Sequence, residues 1–144
     1  MDNTMFGNTS TDTRRTPSFF DMMRAGFERA QAPVQQIQEM DVNELAEKVN
    51  QGNAKILDVR THGEFAQGHL ENSVHFSLQE ISAFGPAAET RIPFAKDDEI
   101  HVICRSGNRS AAAVNILNSL GYTNAYNVRG GIIAWVQNGL QITN

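Results

Sequence analysis

Cysteine is nearly missing from this sequence: there is one, Cys104, in 144 residues. A lone thiol excludes an intramolecular disulfide framework, a multi-cysteine zinc site and a redox pair with its own resolving thiol. Long apolar runs are missing too. The stretch Gly130-Gly131-Ile132-Ile133-Ala134-Trp135-Val136 falls well short of the ~20 residues that a membrane helix needs. Nor is there an excess of positive charge. Twelve Lys and Arg face sixteen Asp and Glu, a formal net charge of -4, so no global basic field draws in nucleic acid or an anionic membrane. Arg14-Arg15 is not followed by an uncharged stretch, since Asp21, Arg24, Glu28 and Arg29 come next; an export signal is not expected. These absences predict a cytoplasmic protein with neither nucleic acid nor membrane as partner. No internal repeat is visible.

What is present is one domain's worth of chain, 40% hydrophobic and 19% charged, long enough to bury a core. Residues 1–37 read as an extension. Met1 to Thr16 have little to bury and are expected to be disordered. Ser18 with Asp21 then resembles a helix cap, ahead of an apolar stripe through Phe19, Met23, Phe27 and Ala30 that Pro33 ends. That Ser18–Ala30 helix is expected to pack on its own domain, with contact to a partner or a second copy as the alternative.

From residue 38 to 144 the pattern tightens. Asp41-Val42-Asn43-Glu44 is a capping signal for a helix that Gly52 closes. Lys55 to Val59 reads as a buried strand, Thr61 to Gln67 as a short helix and Ser73 to Phe76 as a brief strand. A helix is expected around Leu78 to Ala83, then a loop containing Gly85, Pro86 and Pro93. Ile100 to Cys104 is a nearly continuous apolar run, as in a parallel sheet covered on both faces. A helix from Ala111 to Leu120, a strand from Asn124 to Val128 and a helix from Gly130 to Asn138 complete the chain. Alternating strands and helices predict an α/β fold with a central, mainly parallel sheet flanked by helices on both faces.

The chemistry concentrates in Cys104-Arg105-Ser106-Gly107-Asn108-Arg109-Ser110. Between a buried strand and a helix, the backbone amides of Arg105 to Ser110 should curl around one point and bind an anion. Gly107 permits the turn, and Arg105 and Arg109 add positive charge. A thiol at the mouth of such a cradle falls below its free pKa of ~8.5 and becomes an activated nucleophile.

This segment resembles the active-site loop of the rhodanese-type sulfurtransferases, Cys-Arg-x-Gly-x-Arg. Asp58-Val59-Arg60 with Glu64-Phe65 and Gly68-His69-Leu70 resembles that family's first signature. Val128-Arg129-Gly130-Gly131-Ile132-Ile133-Ala134-Trp135 with Gly139-Leu140 resembles its C-terminal one. The chain departs from the family where Pro-Gly-Ala and a later Pro are usual: Glu71, Asn72, Ser73 and Ser77 stand there, and Asn72 can itself supply the left-handed turn. The resemblance implies a single-domain rhodanese fold. It also implies a ping-pong transfer in which Cys104 takes sulfane sulfur from thiosulfate or a persulfide and passes it to cyanide or a thiol, with no cofactor.

Asp58 and Arg60 are expected to support the site as an ion pair. His62, His69 and His75 lack a sequence-local carboxylate or thiol to complete a metal set, so no metal is expected. His69 reads as a structural hydrogen-bonding residue, His101 as a satisfied core histidine, and Phe65 and Trp135 as core anchors. Glu64 and Arg129 read as ion-pairing residues. Two other functions compete. A cysteine phosphatase uses Cys-x5-Arg, but four residues separate Cys104 from Arg109, and no aspartic general acid stands out. A non-enzymatic rhodanese-like binding module would have no need of Cys104, Arg105 and Arg109.

Overall fold

Three reciprocal caps set where the first helices begin in a computed structural model, which describes residues 36–144. The Asp41 carboxylate accepts the Glu44 N–H at 2.9 Å while the Glu44 side chain accepts the Asp41 N–H, starting helix α1, Val42–Asn50. Thr61 with Glu64 opens α2, His62–Gln67, and Ser77 with Glu80 opens α3, Leu78–Phe84, by the same exchange. Each box satisfies donors that a helix start leaves orphaned. The extension expected over residues 1–37, with its Ser18–Ala30 helix, lies almost wholly outside the described residues.

Five strands make the sheet: β1 Gln38–Met40, β2 Lys55–Asp58, β3 Val74–His75, β4 Ile100–Ile103 and β5 Ala125–Val128. Their order is β1-β5-β4-β2-β3, and every pairing is parallel. β4 is central, and all four of its residues are buried. Successive side chains alternate faces, so Ile100 and Val102 join Leu57 and Ala125 against Ile81, Ala113, Val114 and Leu117. Those partners come from α3 and from α4, Asn108–Ser119. On the other face Ile56, Ile103 and Val128 meet Val42 and Leu45 of α1 and Ile132 and Trp135 of α5, Gly131–Gln137. The fold is thus the expected α/β arrangement with helices on both faces.

Four local features differ from the sequence reading. β1 was not foreseen: three residues, only the last buried, show no period, and pairing with Tyr126 to Val128 is what makes them a strand. Residues Gly85–Arg91 form a 3₁₀ helix rather than a loop, with Pro86 in its first turn, where a missing N–H costs nothing. α4 starts at Asn108, ahead of Ala111, because Gly107 at φ 107° turns the chain straight into it. Phe65 is half-buried and stacks on the His69 ring at 3.8 Å instead of anchoring the core. Asn72, at φ 66°, supplies the expected left-handed turn.

The segments leaving β2, β3, β4 and β5 all emerge at the carboxyl edge of the sheet, where open α/β folds place their ligand sites. Asp58 to Thr61, His75 to Ser77, Cys104 to Gly107 and Val128 to Gly130 are gathered there.

Candidate active site

Cys104 is the first residue beyond β4 and is 1% exposed. Its Sγ accepts the Gly107 N–H at 3.1 Å and lies 3.3 Å from the Ser110 hydroxyl. Gly107 is the N-cap of α4 and has no side chain to cap it. The sulfur takes the place a capping oxygen would occupy, facing N–H groups that the helix leaves unpaired. Burial pushes the thiol up. The Ser110 hydroxyl and the N–H groups of Ser110, Gly107 and Ser106 outweigh it and hold Cys104 below its ordinary value. Partial positive charge at the helix end favours the thiolate.

The loop is held from behind by the end of the chain. Ile132 N–H donates to the Cys104 carbonyl at 2.9 Å and Ile133 N–H to the Arg105 carbonyl at 3.1 Å. α5, which also has no side-chain cap, is therefore capped by loop carbonyls, and turning those carbonyls outward helps point the loop amides at the sulfur. The approach needs glycine: a Cβ on Gly131, at φ 60°, would stand 2.5 Å from the carbonyl oxygens of Cys104 and Arg105. Gly130-Gly131 is visible in the sequence, but this contact is not, because it joins residues far apart in the chain.

The two loop arginines are not equivalent. Arg109 donates to both Glu64 oxygens, at 2.7 and 2.9 Å. That guanidinium holds the Glu64 carboxyl down at about 2. The two loop charges therefore differ in setting: Arg109 is tethered to Glu64, while Arg105, like Ser106 and Asn108, is exposed. Asp58 and Arg60 form the expected ion pair, with Nε–Oδ1 at 3.0 Å and Nη2–Oδ2 at 2.8 Å, both residues buried. Arg60 also donates to the Gly68 carbonyl at 2.7 Å, tying β2 to the end of α2. Arg129 stands 3.6 Å from Glu39 and 4.0 Å from Asp41. A recess of about 170 Å³ opens beside Arg109, lined by Val59, Thr61, Ser77, Leu78 and Gln79. A second, of about 210 Å³, lies between α1 and α5 against Ala46, Leu70, Trp135 and Leu140.

Tertiary folding adds the carboxylate that histidine spacing lacked. His62, His75 and Glu80 have ligand atoms within 4.8 Å of one another and are the described residues that could hold a metal ion. Each already has a protein partner. His62 Nε2 lies 3.3 Å from Glu80 Oε2, His75 Nε2 lies 2.6 Å from the Arg60 carbonyl, and Glu80 Oε1 accepts the Ser77 N–H at 3.0 Å. The positive ends of α2 and α3 also meet there, which disfavours a cation. His69 is structural as expected, its Nδ1 lying 2.8 Å from the Phe65 carbonyl while its backbone pairs with Thr143. His101 is not fully satisfied: Nε2 faces Glu99 at 3.3 Å, but buried Nδ1 has no partner among the described residues.

Behind the thiol is a group that sequence reasoning did not assign. Asn127 is 3% exposed within β5 and accepts from the Ser110 hydroxyl. One signal was legible: an amide inside an otherwise apolar strand needs a buried partner.

Residues 41–138 match the family described as Rhodanese-like domain. The chain is 35% identical over 107 residues to a protein of Allochromatium vinosum named Sulfurtransferase, covering 74% of this chain and 94% of that one. It is also 35% identical over 92 residues to the Thiosulfate sulfurtransferase 16, chloroplastic, of Arabidopsis thaliana, covering 60% and 77% respectively. Among solved structures, a rhodanese-related protein from Thermoplasma volcanium is similar with a TM-score of 0.64 at 31% identity, covering 74% of this chain and 98% of its own.

Proposed function

Since the chain belongs to the rhodanese family and is a sulfurtransferase, we propose that it carries sulfane sulfur as a persulfide on Cys104, taken from thiosulfate or a persulfide donor. The Cys104 thiolate attacks the outer sulfur of the donor. With thiosulfate a new S–S bond forms at Cys104, the bond to the sulfonate breaks, and sulfite leaves with the electron pair. Cyanide or a thiol then attacks the outer sulfur and regenerates the thiolate, completing a ping-pong cycle. With one cysteine in these 144 residues, no second thiol among them discharges the persulfide, and the acceptor comes from outside this domain.

The observation that carries this reading is the sulfur seated at the N-terminus of α4, 3.1 Å from the Gly107 N–H. The same amides that stabilise the thiolate can hold the terminal sulfur of the persulfide, a charge displaced by one bond. Exposed Arg105 draws the dianionic donor to the loop, while Arg109 and Glu64 keep its far end in place. Burial of Cys104 restricts attack to a small donor or to the tip of a larger one.

Intact-protein mass spectrometry after incubation with thiosulfate tests this. One added sulfur atom is expected, lost on addition of cyanide and never gained by Cys104→Ser. A folded protein with a reduced thiol that takes up no sulfur from thiosulfate or from a small-molecule persulfide would overturn the reading and favour a non-enzymatic binding module.

A further inference from the structure

A chain of polar groups, buried as far as Asn127, runs from the thiol to exposed Glu39 on the edge strand β1. Ser110 Oγ lies 3.3 Å from Cys104 Sγ and 2.5 Å from Asn127 Oδ1. Asn127 Nδ2 donates to Glu39 Oε2 at 3.0 Å, and Arg129 steadies Glu39 from 3.6 Å. Ser110 and Asn127 are 0% and 3% exposed, so water does not make up for a missing partner.

Two facts of hydrogen-bond chemistry decide how this chain works. A carboxylate accepts only, so Glu39 fixes the Asn127 amide with its nitrogen outward and its oxygen toward Ser110. A serine hydroxyl has one proton, so Ser110 cannot donate to the amide oxygen and to a thiolate together. With a neutral thiol the chain is complete: S–H donates to Ser110, and Ser110 donates to Asn127. With a thiolate it is frustrated. Either the proton stays on Asn127 and the sulfur relies on backbone N–H groups, or it turns to the sulfur and leaves a buried carbonyl oxygen without a donor.

We infer that Asn127, oriented by Glu39, is a positioning residue that acts through Ser110 to oppose ionisation of Cys104. This rests on the reading of Cys104 as the sulfur carrier and adds a consequence to it. In the persulfide the negative charge sits on the outer sulfur, so Ser110 can return its proton to Asn127. The naked thiolate alone is frustrated, which keeps it basic and nucleophilic and favours the sulfur-loaded state over it.

The test follows the rate of Cys104 alkylation by iodoacetamide against pH, read cleanly because the chain has one cysteine. Asn127→Leu removes the competing acceptor and keeps the Glu39 charge. The midpoint should move to lower pH, with alkylation about three- to tenfold faster on the acid side of it. Glu39→Gln lets the amide reverse and should move the midpoint the same way. Ser110→Ala should move it upward, and in that background neither substitution should matter. Apart from Glu39, whose charge only Glu39→Gln removes, the charged groups near the site (Arg105, the Arg109–Glu64 pair, the Asp58–Arg60 pair, Asp41 and Arg129) are unchanged in every variant.

An unmoved midpoint in Asn127→Leu overturns the inference, as does an equal shift with and without Ser110. Should Asn127→Leu fail to fold, Glu39→Gln decides alone. A shift that survives in Ser110→Ala is simple charge removal and overturns the inference, and one that vanishes supports it. Sulfur uptake is scored separately by mass, so failure of the sulfurtransferase reading leaves this pH profile interpretable.

Discussion

Arg109 donates two hydrogen bonds to Glu64 from the first turn of α4, across 45 positions of sequence. A side chain expected to serve the anion site also braces α2 to α4, and Arg105 is the exposed arginine of the loop. With Glu64 lowered to about 2, the sign is that of a depressed carboxylate. The pair contributes stability above the ordinary value of 4.5, and that contribution is lost as pH falls toward 2. Because both side chains are about one-third exposed, at 34% and 29%, the contribution at neutral pH is only about 0.5–1 kcal/mol. Glu64→Gln should therefore unfold at slightly lower denaturant concentration than the parent at pH 7, with the gap closing below pH 4.5. Sulfur transfer should fall more than stability does, through a less fixed loop. An unchanged turnover rate in Glu64→Gln would show that Arg109 needs no brace. Arg109→Lys tests the same point, because an ammonium cannot match both carboxylate oxygens.

At the scale of elements, the loop depends on two helices that meet it head-on. α4 offers its N–H groups to the sulfur, and α5 takes its cap from the carbonyls of Cys104 and Arg105. The contact leaves no room for a Cβ at Gly131. Gly131→Ala should cost about 2–4 kcal/mol, combining an unfavourable positive φ with forced displacement of the loop. It should also bring the Cys104 thiol back toward an ordinary thiol, read by alkylation against pH. Gly52 provides the comparison, since it has a positive φ of 86° but no described residue within 4 Å of an added Cβ. Gly52→Ala should cost only about 1–2 kcal/mol by denaturant unfolding and leave the thiol unchanged. Equal effects at the two positions would mean that backbone strain, and not the docking of α5, governs the loop.

Across the whole molecule the sheet has one active edge and one quiet edge, and His101 belongs to the quiet one. Burial lowers its pKa below the ordinary 6.5, only partly opposed by Glu99. The folded state therefore resists a proton that the unfolded chain accepts. Stability is full above pH 6.5 and declines as pH falls below it. Thermal unfolding followed from pH 7.5 to 5 should show this decline. His101→Leu should flatten it and, by removing a buried nitrogen that has no partner among the described residues, lose little stability at pH 7.5. A slope that persists unchanged in His101→Leu would assign the acid sensitivity elsewhere.

Local and periodic features were readable in the chain itself. Asp41 and Glu44 announce α1, the apolar run from Ile100 announces the central strand, and Cys-Arg-x-Gly-x-Arg between strand and helix announces an anion cradle. Each is written in residues close in sequence, so propensity, capping and hydrophobic period are enough. What depends on distant partners was not readable. β1 exists only through β5, the Glu64–Arg109 brace and the Glu80–His62 contact only through the packing of α2 near α4 and α3, and the Asn127–Ser110–Cys104 chain only through the packing of α4 against the adjacent strands β4 and β5. The sequence determined that one thiol would leave the middle of a parallel sheet at the start of a helix. The tertiary structure decided which groups surround that thiol and which loop arginine is tethered, because hydrogen bonds and ion pairs join neighbours in space, and β5 is built more than 20 residues after the cysteine it serves.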